Sequence, residues 1–110
     1  FSFKKLIRRE DIVDIKLYAN KLEKKLSGKG KRLINIDPGY MTLSNVFLAS
    51  CKDFFHRTYL SKGVFLENEL KYVAKKFEPW EWTYPDYRKA EYLHFFYNIR
   101  RIYYNQLKRD

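Results

Sequence analysis

The chain has 110 residues, 45% of them hydrophobic, with 10 Tyr, 9 Phe and 2 Trp; this is the length of one domain and excludes a disordered polymer. One cysteine, Cys51, excludes an intrachain disulfide, and one Cys and two His without C-x-x-C or H-x-x-x-H spacing exclude a structural zinc site. The net charge of +10 is uneven: +7 over residues 1–32, −1 over 33–87 and +4 over 88–110, so the basic surplus lies on the two terminal segments.

In chain order, residues 10–27 read as a helix. Ile12, Ile15, Ala19, Leu22 and Leu26 form one apolar stripe with Lys16, Lys21, Lys24 and Lys25 mostly off it. Gly28 is placed to end it, and a polar loop runs from Ser27 to Lys31. Arg32 to Ile36 reads as a strand that hands over to an Asp37-Pro38-Gly39 turn. Thr42 to Lys52 reads as a short helix, with Thr42 as its N-cap and Leu43, Val46, Phe47, Ser50 and Cys51 on one face, while Val46 and Phe47 leave a strand as the alternative. Cys51 is then a small buried hydrophobe.

Arg57 to Leu60 and Val64 to Val73 suggest a hairpin across Ser61-Lys62-Gly63. Val64, Leu66, Leu70 and Tyr72 alternate with Glu67, Glu69 and Lys71, the pattern of a strand with one wet face. Lys76 to Trp82 adds an edge strand interrupted by Pro79. Arg88 to Leu107 is the second helix: Tyr92, Phe96, Ile99 and Tyr103 form its stripe, widened by Phe95 and Ile102, with His94 structural. Helices and hairpin strands without β-α-β alternation imply an α+β domain over residues 1–110. A small, mostly antiparallel sheet packs against two amphipathic helices and a shorter helix.

Two junctions place an Asp beside a Pro among aromatics: Asn35-Ile36-Asp37-Pro38-Gly39-Tyr40 and Trp80-Glu81-Trp82-Thr83-Tyr84-Pro85-Asp86-Tyr87. Functional residues collect where a rigid scaffold holds irregular backbone. A carboxylate such as Asp37 can act as a base or accept from a sugar, or it can simply form the turn. Tyr40 follows it. His56 exchanges protons near neutral pH and Arg57 can clamp an anion; alternatively Arg57 pairs with Glu67 or Glu69 across the hairpin. Asp86 beside Trp82 and Tyr84 could accept from a ligand stacked on the rings, or Thr83 and Asp86 could form a capping box with Pro85 early in the helix.

With Met41-Thr42-Leu43, Lys52-Asp53, His56-Arg57-Thr58-Tyr59-Leu60 and Phe77-Glu78-Pro79, these motifs resemble the prokaryotic domain-of-unknown-function family numbered 4416. Ile15 to Asn20 fits the helix that precedes them. The resemblance implies a further N-terminal segment in family members, so that this chain is the C-terminal part of a larger domain. Some members carry an automatic GTP-binding label. Gly28-Lys29-Gly30-Lys31-Arg32 is not a G-x-x-x-x-G-K-[ST] loop and follows a helix, so the residues give that label no support.

The leading expectation is a site for a small anionic ligand, a nucleotide or phosphorylated metabolite, built from Asp37, Tyr40, His56, Arg57, Trp82, Tyr84 and Asp86. The alternatives are a nucleic-acid module on the basic terminal segments, and a structural domain that self-associates or covers an apolar surface with the N-terminal segment. The sequence assigns no reaction, no metal and no cofactor. Without a hydrophobic run long enough to span a bilayer or a signal-peptide pattern, it points to a cytoplasmic protein.

Overall fold

The computed structural model describes Ser2, residues 5–27 and residues 36–109. The expected turn from Gly28 and most of the expected strand, residues 32–35, fall outside the described residues. The elements are α1 (Asp11–Leu26), β1 (Gly39–Met41), β2 (Asn45–Ser50), β3 (Arg57–Ser61), β4 (Val64–Val73), β5 (Lys76–Pro79), a 3₁₀ helix (Pro85–Arg88) and α2 (Ala90–Arg109). The architecture is α+β. The five strands form one sheet in the order β1-β2-β4-β3, with β5 also paired to β4.

The ten-residue β4 takes two antiparallel neighbours in succession: β3 from Val64 to Glu67, and β5 from Leu70 to Val73. The β3–β4 hairpin turns through Lys62 and Gly63, whose φ values of 51° and 78° are both left-handed. Two left-handed residues match the right-handed twist of the flanking strands, and glycine supplies one of them without strain. The β4–β5 hairpin uses the same geometry at Ala74 and Lys75, with φ of 52° and 66° and no glycine to ease it.

Residues 42–52 do not form the expected helix. Thr42 Oγ1 does accept backbone amides, from Ser44 at 3.2 Å and Asn45 at 3.0 Å, but these bonds close the β1–β2 hairpin. Asn45 to Ser50 then runs extended, with Val46 and Ala49 buried. The capping chemistry of Thr42 was therefore read correctly and assigned to the wrong structure, because a threonine caps hairpin loops as readily as helices. Cys51, just past β2, is exposed and accepts from Asn20 Nδ2 at 3.2 Å; it is not the buried hydrophobe expected.

The described residues group into two compact units. One comprises residues 5–27, 36–40 and 48–67. Its core is Ile12, Val13, Ala49 and Val64, with Ile15, Leu17 and Tyr40 packed against it. The buried face of α1 is Ile12, Val13, Lys16, Ala19 and Glu23, rotated from the expected stripe so that Leu26 is exposed and two charged side chains face inward. Lys16 is accommodated because its aliphatic stem packs while the ammonium donates to the Ile36 carbonyl at 3.3 Å.

The other unit comprises residues 41–47 and 68–109, with a core of Val46, Leu70 and Phe77 covered by Met41, Tyr72, Tyr87, Leu93 and Phe96. Leu93 and Phe96 of α2 pack on this core; of the expected stripe, Phe96, Ile99 and Tyr103 lie on the half-buried face, whereas Tyr92 is exposed. His94 is exposed rather than structural. The supposed wet face of β4 is also corrected: Glu67 and Glu69 are buried, each receiving hydrogen bonds that make burial of a carboxylate tolerable.

Candidate functional site

Three clusters contain six of the seven residues singled out by sequence, all but Asp37. In the first, Arg57 stands directly opposite Glu67 in the β3–β4 register. Its Nε donates to Glu67 Oε1 at 3.1 Å, and its Nη1 donates to Ser50 Oγ at 3.2 Å and to the Lys52 carbonyl at 2.9 Å. His56 Nε2 bonds the same Glu67 oxygen. All three side chains are nearly buried, so the guanidinium fork points inward and ties the 51–56 loop to the hairpin. This is the cross-hairpin pairing the sequence offered as the alternative to an anion clamp. Beside it, Phe54 and Phe55 are exposed, Phe55 at 84%, and both rings meet His56 edge-on at about 5 Å.

The second cluster is the Trp80–Arg88 segment. The Trp80 and Trp82 rings stack 5.2 Å apart and 9° from parallel. Trp80 Nε1 donates to Asn68 Oδ1 at 3.0 Å and Trp82 Nε1 to the Asn68 carbonyl at 2.8 Å. Thr83 Oγ1 donates to the Glu69 carbonyl at 2.6 Å and accepts the Trp80 amide at 2.8 Å. The Tyr84 amide donates to Glu69 Oε1 at 2.7 Å. Arg88 donates to the carbonyls of Trp80, Glu81 and Thr83. The capping box expected between Thr83 and Asp86 is therefore absent, since the Thr83 hydroxyl is engaged with β4. Asp86 is exposed and lies 3.5 Å from Lys89, while Pro85 opens the 3₁₀ helix as expected. The aromatic motif is a knot of satisfied donors around Asn68 and Glu69, and Tyr84 keeps an exposed ring.

The third cluster is an open depression of about 470 Å³ in the α1-bearing unit, lined by residues 9, 10, 13 and 14 at the start of α1, Tyr40 of β1, and residues 59–62 of β3 and its turn. Arg9 and Lys62 bring cations; Glu10 and Asp14 bring carboxylates, and Lys62 Nζ lies 3.9 Å from Asp14 Oδ1 at the exposed rim. Burial raises the pKa of the Tyr40 hydroxyl above its ordinary value of 10.0, and the positive charge of Arg9 works against that rise. Tyr59 accepts the Gly63 amide at 3.3 Å and stands edge-on to Phe65, which fixes its ring as a wall.

Of the seven candidate residues, Asp37, Tyr40, His56 and Arg57 belong to the α1-bearing unit, and Trp82, Tyr84 and Asp86 to the α2-bearing unit. Within the first, His56 and Arg57 meet on Glu67, Asp37 is exposed, and Tyr40 enters the depression. Arg9, Ser61 and Lys62 escaped the sequence reading. They come from segments some 50 residues apart and carry no shared motif; in the sequence, Ser61 and Lys62 read only as the hairpin turn. Among the described residues no group of three or more His, Cys, Asp or Glu could hold a metal, and no helix is long and apolar enough to cross a membrane.

Comparison with known proteins places these motifs. The model of the domain of unknown function DUF4416 matches residues 1–103. The chain belongs to that family. No curated protein and no solved structure matches it, so this DUF4416 domain takes no activity from a relative.

Proposed function

We propose that this DUF4416 domain binds a small anionic ligand in the depression between the start of α1 and the β3–β4 turn. The observation that carries this reading is the lining itself: two cations, Arg9 and Lys62, with the Tyr40 and Tyr59 rings and the Ser61 hydroxyl in a volume suited to a small molecule. The guanidinium can take two oxygens of a phosphate or carboxylate, and Lys62 adds a point charge. Glu10 and Asp14 on the same lining disfavour a bare polyanion. They favour a ligand whose anionic group is attached to hydroxyl or amine donors, as in a nucleotide or a phosphorylated sugar. Tyr40 is protonated at neutral pH, since its pKa is raised, and serves as a hydrogen-bond donor.

The test is thermal stabilisation by a nucleoside monophosphate, a sugar phosphate and inorganic phosphate. The expected result is a larger shift with either organic phosphate than with phosphate alone, lost in Arg9→Ala and Lys62→Ala. No shift with any of the three, or an undiminished shift in both variants, overturns the reading.

A second reading rests on α2. Tyr97, Arg101, Tyr104 and Lys108 recur at spacings of four, three and four and share one exposed face, and Lys108 Nζ sits 4.7 Å over the Tyr104 ring. Alternating rings and cations suit stacked bases and their phosphates. Binding to a single-stranded oligonucleotide should weaken steeply with salt and fall in Arg101→Ala/Lys108→Ala; salt-insensitive binding, or none at low salt, dismisses it.

A further inference from the structure

The face of α2 opposite that basic stripe carries a different pattern. Tyr92, Phe95, Ile99, Ile102 and Gln106 recur at spacings of three, four, three and four, the repeat of a helix–helix seam. Tyr92, Phe95 and Ile102 are 39%, 42% and 52% exposed, Ile99 and Gln106 are half-buried, and no residue of α2 is fully buried. A helix with this little cover is not stabilised by its own propensity in water, because short isolated helices are marginal.

The charges around the seam are the second observation. The chain carries 23 Lys and Arg, yet none lies on the seam or its flanks between Glu91 and Gln106. One flank is Glu91, Asn98 and Asn105; the other is Phe96 and Tyr103. Arg100 is turned away, donating to the Leu43 carbonyl at 2.9 Å with its guanidinium 3.6 Å over Tyr72. Arg101 is on the basic stripe.

We propose that α2 pairs with the α2 of a second copy of this chain, antiparallel, about a two-fold axis at Ile99. The seam is self-complementary about that residue. Ile99 meets its own copy, and the large Phe95 meets the smaller Ile102 of the partner. Antiparallel pairing also opposes the helix dipoles and sets Glu91 near the partner's basic C-terminal turn, whereas parallel pairing would align the Lys108–Arg109 ends. The seam is about 22 Å long at 1.5 Å per residue. It would cover roughly 800 Å² in all, below the roughly 1,200 Å² of a standard stable interface, so the dimer is weak and depends on protein concentration.

The experiment is sedimentation equilibrium of the chain over a wide concentration range. It compares wild type, Phe95→Glu, Ile102→Lys and an equimolar mixture of the two variants. Both positions are exposed, so circular dichroism should show unchanged folding. Wild type is expected to dimerise, each variant to dimerise at least tenfold more weakly, and the mixture to regain association, since a mixed pair holds one Glu–Lys layer and one wild-type layer. A monomer throughout, wild-type association in both variants, or a mixture no more associated than its components overturns the proposal.

Discussion

Helix α1 is 16 residues long and buries five of them, including Lys16 and Glu23, whereas α2 is 20 residues long, far richer in aromatics, and buries none. Apolar content therefore does not rank the two by cover. In α1 the inward face is set by the sheet residues Ala49 and Val64 that meet it, and charged stems are drawn in with the apolar side chains. In α2, Leu93 and Phe96 pack on a core, while Tyr92, Phe95, Tyr97 and Tyr104 keep exposed rings. A side chain's contribution follows what it touches, not its hydrophobicity alone.

The sharpest way to break that comparison is a matched pair of truncations. Ile12→Ala, at a position 1% exposed, should cost about 3 kcal/mol of unfolding free energy. Ile102→Ala should cost less than about 0.5 kcal/mol when measured at low concentration, where α2 is unpaired. Equal losses by urea denaturation would mean that α2 is as well covered as α1.

Adjacent arginines sharpen the contrast within α2. Arg100→Ala removes a hydrogen bond to Leu43 and a cation–π contact with Tyr72 and should cost about 1–2 kcal/mol. Arg101→Ala should be neutral in stability. If both are neutral, Arg100 does not anchor the helix.

A smaller effect, of opposite sign, belongs to the hairpin beside that core. Ala74 has φ of 52°, where a Cβ is strained, so Ala74→Gly should stabilise by about 0.5–1 kcal/mol, checked by the urea midpoint. The smallest effect lies on the α1 side. The pKa of Tyr40 is higher folded than its ordinary 10.0, so its contribution is fully present below pH 10 and is lost as pH rises through the raised value. Tyr40→Phe should flatten that alkaline decline in thermal stability.

How much of this was legible varies by element. The β3–β4 hairpin was readable because Lys62-Gly63 supplies the left-handed turn its strands need, while the β4–β5 turn at Ala74-Lys75 uses residues that give no such signal. Both long helices showed their period, but their inward faces depend on neighbours that a single segment does not name. The 42–52 region misled because Thr42 speaks for a capped backbone without saying which kind. Glu67 and Glu69 read as solvent-facing because alternation reports polarity, whereas Arg57, His56 and the Tyr84 amide, which make their burial tolerable, arrive from elsewhere in the chain. Of the candidate depression only Tyr40 was legible, since its other members come from α1, β3 and the turn beyond.

The succession of neighbours along β4 has a kinetic consequence. Its β3 register ends at Glu67 and its β5 register begins at Leu70. The carbonyls of the two residues between accept from Trp82 and Thr83 instead. On the edge of β4 away from β2, amide protons before and after Asn68 are therefore protected by different partners, and native-state hydrogen exchange should resolve that edge into two groups with separate opening free energies.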